Sequence, residues 1–216
     1  MNSLVTVCIT TYNRKNNLLI AVRSVLTQTY SNIEIIIVDD CSDDGTPEFV
    51  KEEILSIYPN IRYFRHNVNK GLAVARNKAI NEAKGKYFIR VDSDDYLNKY
   101  SVQVMSEIMD YNKDLALVYS DHFRVDEFGY KQKIVKLDNK KKILSHGAGI
   151  MFRTEMIKKV GNYNPNLREA EDHDLLNRMM KKYKSFYLPI PLYRYYIHGK
   201  NISLSGNRKD IIKNLK

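Results

Sequence analysis

The feature that most constrains this chain is an alternation of two patterns. Four short runs rich in β-branched and aromatic residues read as strands: "LVTVCIT" (4–10), "IEIIIVDD" (33–40), "IRYFRH" (61–66) and "KYFIRVD" (86–92). Helical segments separate them. Leu18, Val22, Val25 and Leu26 recur at helical spacing and predict a helix over about 15–28. "SDDGTPEFVKEEIL" reads as a loop and then a helix, with Thr46 as N-cap, Pro47 at the first helical position and Glu48, Glu52 and Glu53 biasing its start. "LAVARNKAINEA" is a third helix. A β-α-β-α-β-α-β order implies right-handed crossovers and an α/β fold, a Rossmann-like, mostly parallel central sheet with helices on both faces.

In such sheets ligands bind outside the carboxyl ends of the strands. Those ends are "TTYN", "DDCSDDG", "HNVNKG" and "DSDD", all polar and two of them acidic. Asp39, Asp40, Asp92, Asp94 and Asp95 are therefore expected along one rim. Carboxylates this close repel one another unless something opposes them. Alternate aspartates at a strand end suit a hard divalent cation, Mg²⁺ or Mn²⁺. A lone DxD is more often a turn or helix cap, and its place after the fourth strand reverses that preference in favour of the cation.

The second part is less regular. The sequence predicts a helix at about 98–111, strands at 115–126 and 131–137, a glycine-containing loop "SHGAGIMFR" (145–153), and a helix at about 154–160. "NLREAEDHDLLNRMMKKY" begins acidic and ends in lysines, as a helix macrodipole favours. "SFYLPIPLYRYYIHG" is extended, and Pro189 and Pro191 assign it to an edge or a connection. No repeat or linker divides the 216 residues, so a single domain is expected over 1–216.

With 44% hydrophobic and 28% charged residues, the composition is that of a globular protein. No apolar run approaches the roughly 18 residues a membrane span needs. The N-terminus lacks a basic segment before its first strand, so cytoplasmic residence is the expectation. Cys8 and Cys41 lie in or beside apolar runs and are expected as buried, reduced thiols; without CxxC spacing a structural zinc site is not expected. The net charge of +10 is unevenly spread: residues 1–130 carry −3 and residues 131–216 carry +13. That asymmetry fits nucleic acid, anionic lipid or a phosphorylated substrate as partner, or simply a soluble basic surface.

Six segments, in order, resemble family 2 glycosyltransferases, inverting enzymes of the GT-A fold. They are "VTVCITTYNR", "EIIIVDDCSDDGT", "NKGLAVARNKAINEAKGKYFIRVDSDD", "SHGAGIMFR", "EAED" and "YRYYIHGKNIS". The resemblance implies a nucleotide-sugar-binding part over about 1–97 and an acceptor-binding part over about 98–216. It implies that Thr10 and Tyr12 line the base and ribose pocket, Tyr12 by stacking. Asp40 would accept from the N–H of uracil, Arg76 would hold the nucleotide, and Asp92 with Ser93 would contact the ribose side. Asp94 and His198 would ligate Mn²⁺ or Mg²⁺, with Arg194 and Ser203 as phosphate partners. Asp95 is either a helix cap or a support for the site, and Asp39 is structural. Asp172 would be the catalytic base, with Glu171 and Gly149 on the acceptor side; read without the resemblance, Glu171, Asp172 and Asp174 are an acidic first helical turn. His173 is expected to be structural.

The resemblance thus implies a metal-dependent transferase moving a sugar from a UDP-sugar to a hydroxyl of a glycan or lipid-linked glycan, in surface polysaccharide or lipopolysaccharide synthesis. A peripheral association with the inner membrane face fits the basic second part, and Ile211, Ile212 and Leu215 among lysines suit either a short amphipathic helix or a frayed end. The alternatives are a nucleotidyltransferase, for which "TTYNRKN" lacks a glycine-rich loop; an inactive nucleotide-binding relative; and a basic nucleic-acid-binding domain. Nucleic acid is not the expected partner, because the rim where a ligand should bind is acidic.

Overall fold

The computed structural model describes residues 2–198 and 211–213. The first part follows the alternation: β1 (Val5–Thr11), α1 (Lys15–Leu26), β2 (Ile33–Asp39), α2 (Thr46–Phe49), β3 (Arg62–Arg65), α3 (Leu72–Glu82) and β4 (Tyr87–Asp92). α2 continues through a wider π-type turn over Val50–Leu55. Its cap lies one residue earlier than the sequence suggests. Gly45, at φ +82°, takes the cap position, and the Asp44 carboxylate accepts from the backbone N–H of Thr46. Thr46 is thereby inside the first turn, and an aspartate supplies the acceptor that its hydroxyl was expected to give.

The remaining elements are β5 (Tyr96–Leu97), α4 (Ser101–Tyr111), β6 (Leu115–Val125), β7 (Lys131–Val135), α5 (Lys140–Ser145), β8 (Ile150–Arg153), α6 (Thr154–Lys159), α7 (Glu171–Lys182) and β9 (Lys184–Tyr196). The sheet order is β3-β2-β1-β4-β8-β6-β9-β5, with β7 on β6. Its long pairings, β1 with β2 and β4 and β6 with β9, are parallel, while β8 joins β4 to β6 antiparallel. β9 corrects the reading of its prolines. It lies between β6 and β5 rather than at an edge, and its register slips from Ser120↔Leu188 to Asp121↔Pro191. The irregularity falls where prolines cannot donate to the ladder.

Alternation along the strands divides the core. Val5, Val7 and Ile9 of β1 pack on one face with Leu18, Val22, Met105 and Met109 of α1 and α4. Cys8, Ile36, Val38 and Phe88 face the other way, against Ala75, Ala79, Leu175 and Met179 of α3 and α7. Cys8 is free, and burial pushes its thiol up to about 12; Cys41 is also free but only half-buried, with φ +71°, so only one of the two thiols expected in the core lies there. Among the described residues no helix is long and apolar enough to cross a membrane.

Parallel register aligns the strand ends: Thr10 pairs with both Val38 and Asp92, and Thr11 with Asp39. The backbone N–H groups of Asp40, His66 and Ser93 extend the ladder one residue past the strands. The ends of all four strands, β1 to β4, therefore open on one rim.

Candidate active site

The rim frames a cavity of about 620 Å³, within the range of small-molecule sites. At its β1–β2 end the loops are tied together. The Asn13 N–H donates to Ser42 Oγ at 2.9 Å, and the Asp43 N–H to Asn13 Oδ1 at 2.9 Å. Thr10 and Tyr12 line this end, and the Tyr12 ring is 46% exposed, leaving its flat face open. Asp39 is fully buried below, accepting from the Ser42 N–H and hydroxyl and from the Tyr63 hydroxyl, the structural role expected of it. Asp40 faces the cavity. Its carboxylate accepts from the N–H groups of Lys70 and Gly71 at 2.9 and 2.6 Å and meets His66 Nδ1 at 2.7 Å. A carboxylate has about four lone-pair positions, so Asp40 keeps room for one further donor.

In the middle of the cavity, two buried arginines organise three carboxylates. Arg76 of α3 reaches Glu171 Oε1 at 2.6 Å, Asp92 Oδ1 at 2.9 Å and Asp172 at 3.4 Å. Arg90 of β4 holds Asp92 at 2.9 Å, Asp172 Oδ2 at 2.7 Å and the Gly147 carbonyl at 2.6 Å. Burial alone would favour uncharged forms, but the ion pairs outweigh it. Asp92 is held well below the usual carboxylate range by Arg90 and Arg76 against its desolvation. Glu171 is shifted up by burial and by the neighbouring Asp172. Arg76 also stacks on Tyr163, 5.4 Å from the ring centroid.

Arg90 is absent from the sequence-predicted site. Its one signal was a charged residue inside the otherwise apolar run "YFIRVD". Gly149, expected on the acceptor side, lies in the ladder instead: its carbonyl accepts from the Ser120 N–H, and it does not line the cavity. Gly147 does. A Cβ on Gly147 would fall 2.2 Å from Asp172 Cγ and 2.3 Å from Arg90 Nη2, so only glycine lets this loop approach the pair.

Beyond Ser93, whose N–H donates to the Thr10 carbonyl, Asp94 and Asp95 divide. Asp94 lines the cavity, with Oδ2 2.9 Å from His198 Nε2 and 3.7 Å from Arg14 Nε. Asp95 is 1% exposed, accepts from the Tyr193 hydroxyl and the Tyr196 N–H, and so fastens β9 beneath the rim rather than capping a helix. Its burial and the nearby Asp94 and Asp92 push its pKa up. Among the described residues no cluster of three or more His, Cys, Asp and Glu could by itself enclose a metal. A carboxylate oxygen with an imidazole nitrogen nevertheless suits Mn²⁺ or Mg²⁺ bound mainly through substrate phosphates. Arg194 departs from expectation: it donates to the Pro191 carbonyl and covers the Phe123 ring, away from the cavity. His173 Nδ1 meets the Leu144 carbonyl, a structural contact as expected. Ser203 and Leu215 lie outside the described residues.

A rim of this kind, with an antiparallel strand inserted beside the fourth strand of a parallel sheet, defines a GT-A glycosyltransferase fold. Solved structures share it. S. aureus TarS 1-349 in complex with UDP-GlcNAc matches with a TM-score of 0.76 at 24% identity, over 94% of this chain and 61% of that one. The mannosyltransferase PcManGT from Pyrobaculum calidifontis, in complex with GDP-Man and Mn²⁺, matches with a TM-score of 0.74 at 19% identity, over 93% of this chain and 59% of that one. Residues 6–162 match the model for glycosyl transferase family 2, and the chain belongs to that family. An uncharacterized glycosyltransferase of Rickettsia felis is 34% identical over 196 residues, 82% of this chain. The chain spans only 31% of that relative's length. The putative colanic acid biosynthesis glycosyl transferase WcaA of Escherichia coli K12 is 30% identical over 194 residues, 84% of this chain and 68% of that protein.

Proposed function

We propose that the chain is an inverting, divalent-metal-dependent glycosyltransferase that moves a sugar from a UDP-sugar to a hydroxyl of a glycan or lipid-linked glycan, in the building of a surface polysaccharide or lipopolysaccharide. The observation that carries this reading is the placement of Asp172. It faces the same cavity as Asp94, whose carboxylate meets His198, and its own carboxylate is oriented by Arg90 and Arg76. In an inverting transfer one carboxylate is enough. The acceptor oxygen attacks the anomeric carbon, the bond from that carbon to the diphosphate breaks, and its electron pair leaves with the nucleoside diphosphate. Asp172 takes the hydroxyl proton. Arg90 holds Asp172 Oδ2, which fixes where the carboxylate receives the proton.

The β1–β2 end suits the nucleotide. Tyr12 offers a face for the base, and Asp40 retains an acceptor position for a ring N–H, which uracil supplies. Asp92 and Ser93 sit at the junction between that end and the arginine cluster, where ribose and diphosphate would lie. Mn²⁺ or Mg²⁺ held by Asp94 and His198 would neutralise charge developing on the leaving group. Glu171, tied to Arg76, is placed to orient the acceptor side. UDP bound by the TarS relative and Mn²⁺ bound by the mannosyltransferase support the choice of nucleotide and metal.

A panel of nucleotide-sugars with and without Mn²⁺, followed by thermal shift, tests the donor half. UDP compounds should stabilise the protein more than GDP or CDP compounds, and Asp94→Ala should remove the Mn²⁺-dependent part. Equal response to every nucleotide, or an unchanged Mn²⁺ effect in Asp94→Ala, would sink the assignment.

A further inference from the structure

Five arginines line the cavity: Arg14, Arg76, Arg90, Arg124 and Arg168. Four have partners. Arg76 and Arg90 hold the central carboxylates, Arg14 approaches Asp94, and Arg168 donates to Asn69. Among the described residues the Arg124 side chain makes no hydrogen bond or ion pair, and its Nε is buried without an acceptor. The cavity's own carboxylates do not supply one: Asp40, Asp92, Asp94, Asp95, Glu169, Glu171 and Asp172 are all engaged elsewhere. A half-buried guanidinium facing a ligand cavity with its donors unused fits an acceptor that arrives with the ligand.

Position indicates which ligand. Arg124 is on β6, paired with Tyr195 of β9. β6 lies three strand steps from β1, across β4 and β8, or about 14 Å. Asp172 is tied through Arg90 to β4 and to the loop before β8, the two strands that separate β1 from β6. Arg124 shares its corner with His146, which precedes Gly147 and so lies next to the Asp172–Arg90 pair. Behind them His122 is fully buried against His146 and Tyr195, with ring centroids 5.4 and 5.8 Å away and neither ring nitrogen bonded. Burial first, and then His146 and Arg124, hold it neutral.

We infer that the acceptor carries an anionic group, a phosphate or a sugar carboxylate, and that Arg124 receives it beside Asp172. This rests on the reading above that Asp172 faces the acceptor. The recognition is bidentate and charge-assisted, so it fixes the acceptor's orientation as well as its affinity.

The test titrates the full chain, saturated with UDP and Mn²⁺, at low ionic strength by calorimetry. The probes are glycerol phosphate against glycerol, and glucuronate against glucose. An anion is expected to bind saturably where its neutral counterpart does not, and the anion that binds identifies phosphate or carboxylate. Arg124→Gln should weaken that binding at least about tenfold, Arg124→Lys should restore part of it, and UDP affinity should be the same in all three proteins. The inference is overturned if neither anion outbinds its control, if Arg124→Gln binds like the parent, or if an anion binds only to protein free of UDP, since the group would then be the donor's diphosphate. If UDP itself fails to bind while an Arg124-dependent anion site persists, the donor assignment falls and the anion site stands.

Discussion

Two guanidinium groups decide how three carboxylates sit. Arg76 and Arg90 are buried against Asp92, Glu171 and Asp172, so the cluster holds two cations and three acids. Removing a cation leaves uncompensated buried negative charge. Arg90→Met should therefore destabilise the fold by about 3–5 kcal/mol, measured by urea unfolding. Asp172→Asn leaves two acids facing two cations, and its stability should change by no more than about 1 kcal/mol. His122 gives a pH signature. Its pKa falls from the ordinary value of 6.5 to about 3, through burial first and then His146 and Arg124. Between those values the unfolded chain binds a proton that the native one refuses, so stability is lost as pH drops through 6.5 toward 3. From pH 7 to pH 5 the parent should lose about 1–2 kcal/mol more than His122→Phe. Equal losses would mean that His122 titrates normally in the native state.

At the scale of elements, the site is made where α7 and the loop before β8 meet β4. The loop approaches closely because Gly147 has no side chain. Gly147→Ala should displace the Arg90–Asp172 pair, lowering sugar transfer at least about tenfold while UDP binding, at the other end of the cavity, stays near normal by calorimetry. The sequence made the strands legible because their β-branched runs are long and their polar ends abrupt. Asp94, His198 and Asp172 were singled out through ordered motif segments; the structure places Asp94 and Asp172 on one cavity and His198 against Asp94. Arg90 was not legible, because a strand residue's partners come from distant elements, here Asp172 and Gly147. β5 has two residues, too few to show periodicity, and α5 over Lys140–Ser145 is masked by its lysines. The prolines misled because a register slip next to β6 accommodates them inside the sheet.

The whole molecule is polarised. Its acidic rim faces the cavity, while the excess of basic charge lies in residues 131–216. On β7, Lys131 and Lys133 are exposed, and Phe128 and Tyr130 project from the preceding turn at 76% and 70% exposure. A basic surface with exposed aromatics fits a peripheral contact with anionic lipid, where a lipid-linked acceptor would reside. Flotation with phosphatidylserine-containing liposomes should recover the protein at low salt and release it at about 0.5 M, where the Debye length is only a few ångströms. No recovery at low salt would remove membrane association from the account. The central claim is that one carboxylate in a nucleotide-sugar cavity does the proton transfer. It is tested most directly by comparing the parent and Asp172→Asn for UDP affinity and for donor turnover with Mn²⁺. The prediction is unchanged UDP affinity with turnover reduced by at least about 100-fold; full turnover in Asp172→Asn would contradict it.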